Sequence, residues 1–369
     1  MATFDSLFPG MLLDSASRFA QDHVSTEVTG DPVRELGWTA TIVPEEAGGV
    51  GASLADLASI VEGVASYGLH LPVVEACGVV PVLLQAAAPD VAKRWLEAVA
   101  EGSAQIAPLT ALSASLDEAT VQAKHLDIGF ELDGEVLGAD ASLPASHYLV
   151  PAQLEGDLAL FLVDAERIGA PAASYRTMEG ARGADLKLAK LSVPEGACIA
   201  RGAAARDSLV AADNVALLLN GADTVAALSA LIQHTLAFLK ERKQFGVQLS
   251  TFQVLRHRCA EMYLKYMGAK GLVIHCFHEH EAGAADLRRT LRLAKVSLAE
   301  AARFCAEAAI QSHGGMGMSE EVLATRLAQR LLGSEFRYGD RLAHVARLLA
   351  PQATAAEGRN VSNLTGSAR

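Results

Sequence analysis

Two short runs hold the residues best suited to chemistry. Arg242-Lys243-Gln244-Phe245-Gly246-Val247-Gln248-Leu249-Ser250-Thr251-Phe252-Gln253 gathers a guanidinium, two aromatic rings and several amides, and Gln311-Ser312-His313-Gly314-Gly315-Met316-Gly317 follows about seventy residues later. An arginine offers a planar fork of donors that binds a pyrophosphate bidentately, which a lysine cannot imitate. Glycines let a ligand approach the backbone because no Cβ intervenes. The side-chain amide of Gln311 supplies both donors and an acceptor. Taken singly, Arg242 reads better as a helix cap in a surface salt bridge, and the glycines as a helix stop.

Other clusters carry less. His275-Cys276-Phe277-His278-Glu279-His280 could put His275 and His278 on one helical face, but a third ligand at proper spacing is absent, so no metal site is assigned. Gly49-Val50-Gly51 lacks the third glycine and the flanking strand of a dinucleotide fingerprint. The five cysteines (Cys77, Cys198, Cys259, Cys276, Cys305) show no CxxC spacing and read as reduced, mostly buried thiols of a cytoplasmic protein.

These groups need a large scaffold. The chain has 369 residues, 51% of them hydrophobic but only 5% aromatic, which suits two or three domains of helices packed through small side chains. A net charge of -12 with no basic stripe argues against a nucleic-acid partner. The first residues lack the basic region and long apolar core of a signal peptide. No membrane span is expected, since the best stretch, Val215 to Leu239, is interrupted by Asn220, Asp223, Gln233 and His234.

The texture changes along the chain. Residues 1–103 read as an N-terminal helical domain, with Ser53 placed to cap the helix that follows it. The Gly- and Pro-rich stretch from Gly37-Trp38 to Gly51 precedes that cap. Residues 104–203 run in short apolar bursts, such as Leu158-Ala-Leu-Phe-Leu-Val163 and Leu186-Lys-Leu-Ala-Lys-Leu191, and form a middle β domain, a small barrel or sandwich. Asp133-Gly134 is a hairpin-turn pattern within it. Residues 204–350 return to long Ala/Leu-rich helices, a C-terminal four-helix bundle, and 351–369 read as a flexible tail. The expected class is α+β.

This layout, with four motifs in order, resembles the acyl-CoA dehydrogenase family over nearly the whole chain. The motifs are Gly37-Trp38 through Pro44-Glu45-Glu46-Ala-Gly48-Gly49-Val-Gly51, Gly180-Ala-Arg182-Gly-Ala-Asp185-Leu with Val193-Pro194, Arg242-x-x-Phe245-Gly246 with Phe252-Gln253, and Gln311-x-x-Gly314-Gly315-x-Gly317. The resemblance implies an FAD site in which Arg242 meets the pyrophosphate near Phe245 and Gln253, while Gln311, Gly314 and Gly315 meet the nucleotide. In the family these two segments come from different subunits, so a complete site implies at least a dimer. The implied reaction is α,β-dehydrogenation of a CoA thioester, in which a desolvated carboxylate takes the α-proton as hydride leaves for the flavin. Most members place that Glu before a Gly-Thr pair. Counted from Gly315 without gaps, the position is Tyr338, before Gly339-Asp340, and an alternative register gives Leu332 before Gly333. Members with the base on an earlier helix would place it near Ala216, with Asp213 and Asp223 the nearest acids. No residue is assigned as the base; Glu335 and Asp213 are the leftover candidates.

Two further segments depart from the family pattern. Its Thr-Glu-Pro-x-x-Gly-Ser-Asp region reads Pro108-Leu-Thr110-Ala-Leu-Ser113-Ala-Ser115 here, and its Trp-Ile-Thr region reads Gly138-Ala-Asp140-Ala-Ser-Leu143. This combination resembles the base-lacking subunit of heterotetrameric (α2β2) acyl-CoA dehydrogenases of steroid side-chain degradation. The resemblance implies a homologous partner subunit, an acyl-CoA substrate and an electron-transfer flavoprotein or similar acceptor. The alternatives are a self-sufficient homotetramer with an unusual base and a flavin-free stabilising subunit.

Overall fold

The computed structural model describes residues 4–24, 30–109, 119–142 and 144–350. The segment Thr110–Ser115, Leu143 and the 351–369 tail lie outside the described residues. Two compact units divide the chain, one of residues 8–219 and one of the first seven residues with everything from Asn220 onward.

Ser53 starts a helix as its position predicts. Its hydroxyl accepts the Asp56 amide and the Asp56 carboxylate accepts the Ser53 amide, satisfying two orphan donors reciprocally. The helices of this region are α1 (Met11–Asp22), α2 (Pro32–Glu35), α3 (Leu54–Ala65), α4 (Val80–Leu84) and α5 (Pro89–Ala100). A π-helical turn, Val74–Val79, leads into α4, where Pro81 cannot donate a backbone hydrogen bond. The loop before Ser53 folds back on itself, and a Cβ on Gly49 would lie 2.0 Å from the Val43 carbonyl oxygen. Backbone cannot yield as a side chain can, so Gly49→Ala should cost about 1–3 kcal/mol. Equilibrium urea unfolding would show this as a lower midpoint.

The strands are β1 (Ile106–Pro108), β2 (Val121–His125), β3 (Phe130–Asp140), β4 (His147–Leu154) and β5 (Asp157–Asp164), then a short α6 (Ala165–Ile168), β6 (Ala173–Arg176), β7 (Arg182–Val193) and β8 (Cys198–Arg201). They form one mixed sheet in the order β6-β7-β3-β2-β4-β5-β8, with β1 also on β4. Where stacked sheets were one expectation, a single sheet wraps a core. Leu186 and Leu188 of β7 share it with Val121 of β2 and with Phe161 and Val163 of β5.

The hairpin expected at Asp133-Gly134 is instead at Leu126–Gly129, where Gly129 has φ +81 and the Leu126 amide donates to its carbonyl. Asp133-Gly134 lies inside β3, opposite a bulge at Ala189-Lys190 of β7, and the Asp133 carboxylate accepts the amide of Lys190, itself at φ +50 on that facing strand. An Asp-Gly pair suits a hairpin turn and also the strand facing a bulge, so it could not distinguish them.

Then come α7 (Ala203–Glu241), two paired dipeptides β9 (Lys243–Gln244) and β10 (Val247–Gln248), α8 (Gln253–Glu281), α9 (Leu287–His313), α10 (Leu323–Ser334) and α11 (Arg341–Leu349). From Asn220 onward these helices form the bundle. Alanines 299, 301, 302, 306, 308 and 309 of α9 are buried, allowing close helix approach. Phe4 packs edge-on against Tyr263, and the Asp5 carbonyl accepts from Lys270, so the described N-terminal residues before Phe8 belong with the bundle. Helix α7 is long and apolar enough to cross a membrane by length and composition, contrary to the sequence expectation, but 94% of its most apolar window is buried inside the fold. It is a core helix that also buries Asp213, Asn220 and Asp223.

Candidate flavin site and base loop

The Arg242 motif is a tight hairpin joining α7 to α8. Val247 pairs with Gln244 and Gln248 with Lys243, and the turn residues Phe245 and Gly246 have φ +54 and +80. Both values are left-handed, as a two-residue hairpin turn of matching twist demands. The Leu249 amide closes the loop onto the Arg242 carbonyl, and Arg256 Nε donates to the Ser250 carbonyl at 2.8 Å. This rigid hairpin holds Phe245 88% exposed, touching Phe252 edge-on.

The second motif ends α9. Gly314, at φ +59, stops the helix, while Gly317 is a packing glycine whose Cβ would lie 2.6 Å from the Ile310 carbonyl oxygen. A Cβ on Gly246, Gly314 or Gly315 would meet nothing within 4 Å. Arg242, Phe245, Gln253, Gln311, Gly314 and Gly315 are all exposed.

The two motifs meet through residues not singled out by their types. Phe238 of α7 stacks on His313 of α9 with ring centroids 4.4 Å apart, and His313 Nδ1 lies 2.8 Å from the Ala309 carbonyl oxygen. Arg242 is one helical turn beyond Phe238, and Gln311 and Gly314 flank His313. One chain therefore presents both segments side by side at one end of its bundle, with the side chains and glycines of both open to a ligand or to a second subunit. Burial, then the neighbouring His313, lowers the His234 pKa at this end of α7. The set fits a dinucleotide: a cationic fork, an exposed ring, amide groups and open backbone.

The base candidates stand differently. Tyr338 is in the left-handed region at φ +56, followed by Gly339 at +89, in the loop between α10 and α11. Glu335 ends α10 and is buried, not a solvated loop residue, and its Oε2 accepts from Arg303 Nη2 at 2.9 Å and Nε at 3.3 Å. Asp213 is 1% exposed within α7, Ala216 fully buried, and Leu332 lies on α10. Asp223 accepts from Nε and Nη2 of buried Arg330, with Arg337 3.6 Å away. Glu335 and Asp223 are thus engaged by arginines of the bundle, while Asp213 is buried within α7. The His275 cluster is likewise resolved into pairs, His275 with Glu279 at 3.4 Å and His278 with Glu281 at 3.9 Å.

Sequence reasoning missed a polar network in the bundle core. Lys295, 4% exposed, donates to Asn220 Oδ1 at 2.8 Å and to the Ser334 carbonyl at 2.5 Å. His344 is fully buried beside it; burial first, then the charges of Lys295, Arg347 and Arg292, push its pKa down to about 4 despite a hydrogen bond to Tyr338. A free histidine titrates near ~6.5, so between these values the unfolded chain binds the proton and the folded chain does not. This contribution to stability is full above about pH 6.5 and is lost as pH falls toward 4. Melting profiles from pH 7 to 4.5 should fall more steeply for the native chain than for His344→Gln.

The family models agree with this geometry. "Acyl-CoA dehydrogenase, N-terminal domain" matches residues 10–103 and "Acyl-CoA dehydrogenase, C-terminal domain" residues 214–346, together more than half of the chain. The chain belongs to the acyl-CoA dehydrogenase family, and its cofactor class is a flavin. Among curated relatives it is 28% identical over 289 residues to the acyl-CoA dehydrogenase IpdE2 of Mycobacterium tuberculosis, covering 78% of this chain and 74% of IpdE2. Its fold matches the ChsE4–ChsE5 complex of Mycobacterium tuberculosis at TM-score 0.78 and 19% identity, covering 93% of this chain and 98% of that one. It also matches the Tcur3481–Tcur3483 steroid ACAD at TM-score 0.79 and 23% identity, covering 91% and 95%.

Proposed function

We propose that this chain is the base-lacking subunit of a flavin-dependent acyl-CoA dehydrogenase heterotetramer acting on a bulky, steroid-derived acyl-CoA. The observation that carries it is the loop between α10 and α11, where the position counted for the base is Tyr338 and the two carboxylates of the loop are engaged, Glu335 by Arg303 and Asp340 by the Ala343 amide. The two solved assemblies it resembles are each named for two chains, and one is described as a steroid ACAD. In this reading Arg242 holds the FAD pyrophosphate, Phe245 and Gln253 flank it, and Gln311 with the Gly314-Gly315 backbone receives the nucleotide. The bound flavin supplies the hydride acceptor. A homologous subunit brings the carboxylate that takes the α-proton, and an electron-transfer flavoprotein or similar acceptor reoxidises the complex. A cytoplasmic location accords with five free cysteines, four of them buried.

Flavin content per chain and particle mass test this, first for the chain alone and then co-expressed with a glutamate-bearing homologue. Little flavin alone, and about half a flavin per chain on a mixed tetramer, is the expected result. A homotetramer of this chain with near-stoichiometric flavin that bleaches with an acyl-CoA would overturn the reading, as would a mixed tetramer without flavin.

A further inference from the structure

Of the four described non-glycine residues with positive φ, Glu155 and Lys190 lie at a turn and a bulge, and Phe245 forms the hairpin turn. Tyr338 has no such strand pairing to impose its backbone, and a bulky side chain resists the left-handed region. Something else must hold it. The Tyr338 carbonyl lies 3.0 Å from Nε2 of His344, which is 0% exposed. A carbonyl can only accept, so Nε2 carries the proton and Nδ1 is a bare lone pair. That Nδ1 is buried and has no hydrogen-bond partner among the described residues, so the ring's one polar contact in the structure is the one to Tyr338. Burial first, and then the cationic Lys295 and Arg292 of α9 and Arg347 of α11, disfavour the charged imidazolium. On the far side of the turn, the Asp340 carboxylate accepts the Ala343 amide at 2.7 Å and the His344 amide donates to the Asp340 carbonyl, fixing where α11 begins.

We propose that His344 is a positioning residue, its buried N–H holding the Tyr338 carbonyl and thereby fixing the 335–340 loop in the left-handed turn that decides what residue 338 presents. The chain thus keeps the frame of a base-bearing loop with a phenol at its apex. The functional weight of that frame rests on the dehydrogenase reading above; the frame itself does not.

The test is hydrogen exchange of the backbone amides of 335–343 in the full-length chain, with melting temperature alongside. Neither readout needs flavin or turnover, so failure here is distinct from failure of the functional reading. His344→Leu removes the donor and should speed exchange in the loop by about 10-fold. His344→Gln can place an amide N–H where Nε2 stood and should restore most of the protection. In a Tyr338→Gly background, where the left-handed turn is free of strain, His344→Leu should lose most of its effect. Should His344→Leu fail to fold, adding Tyr338→Gly should recover folding. Equal losses for Leu and Gln, or a loss undiminished in the Tyr338→Gly background, would reduce His344 to a packing residue and overturn the proposal.

Discussion

Asp223→Ala is expected to be the most damaging single substitution in the bundle, lowering unfolding free energy by about 3–5 kcal/mol. The carboxylate is 2% exposed and takes hydrogen bonds on both oxygens from Arg330, itself only 4% exposed, while Arg337 stands 3.6 Å away. Removing it takes the Asp223 carboxylate away from guanidinium charge held in a poorly solvated core. The pair itself adds little net stability over well-packed apolar residues; the cost comes from breaking it. Replacing both Asp223 and Arg330 by leucine should therefore be milder than Asp223→Ala alone. Urea unfolding of the three proteins measures this, and a loss under about 1 kcal/mol for Asp223→Ala would show that the core takes in water.

The second large effect is on the cofactor. Arg242→Lys keeps the charge but loses the planar fork, and should weaken FAD binding by roughly 10- to 150-fold, the worth of about 1.5–3 kcal/mol for hydrogen bonds to a charged group. Flavin retention and fluorescence titration of the co-expressed complex give the constant. Because Arg242 is exposed at the mouth of the hairpin, melting temperature without flavin should change little. Unchanged affinity would place the pyrophosphate elsewhere.

What could be foreseen followed from local rules. The Ser53 cap and the order of helices and strands follow from spacing and residue type. The hairpin was misplaced at Asp133-Gly134 because that dipeptide also suits a strand facing a bulge, and only the partner strand, through Lys190, selects between the two. Barrel and sandwich could not be told apart in the sequence, since the choice depends on long-range pairing such as β3 with β7. The juxtaposition of the motifs through Phe238 and His313 was invisible because those residues look like ordinary core. The network around Lys295 escaped notice for a related reason: its partners, Asn220 and the Ser334 carbonyl, are distant in sequence and chemically plain.

The central claim is that this chain shares a flavin site without supplying the base. Its most direct test is acyl-CoA-driven bleaching of the flavin in the co-expressed complex, comparing three substitutions: Glu335→Gln and Asp213→Asn in this chain, and glutamate to glutamine at the homologue's base position. The account predicts that the homologue's substitution slows bleaching by about 10²–10⁴-fold, the usual worth of a general base, while either substitution in this chain leaves the rate near that of the native complex. Loss of bleaching with Glu335→Gln or Asp213→Asn, and none with the homologue's change, would contradict it.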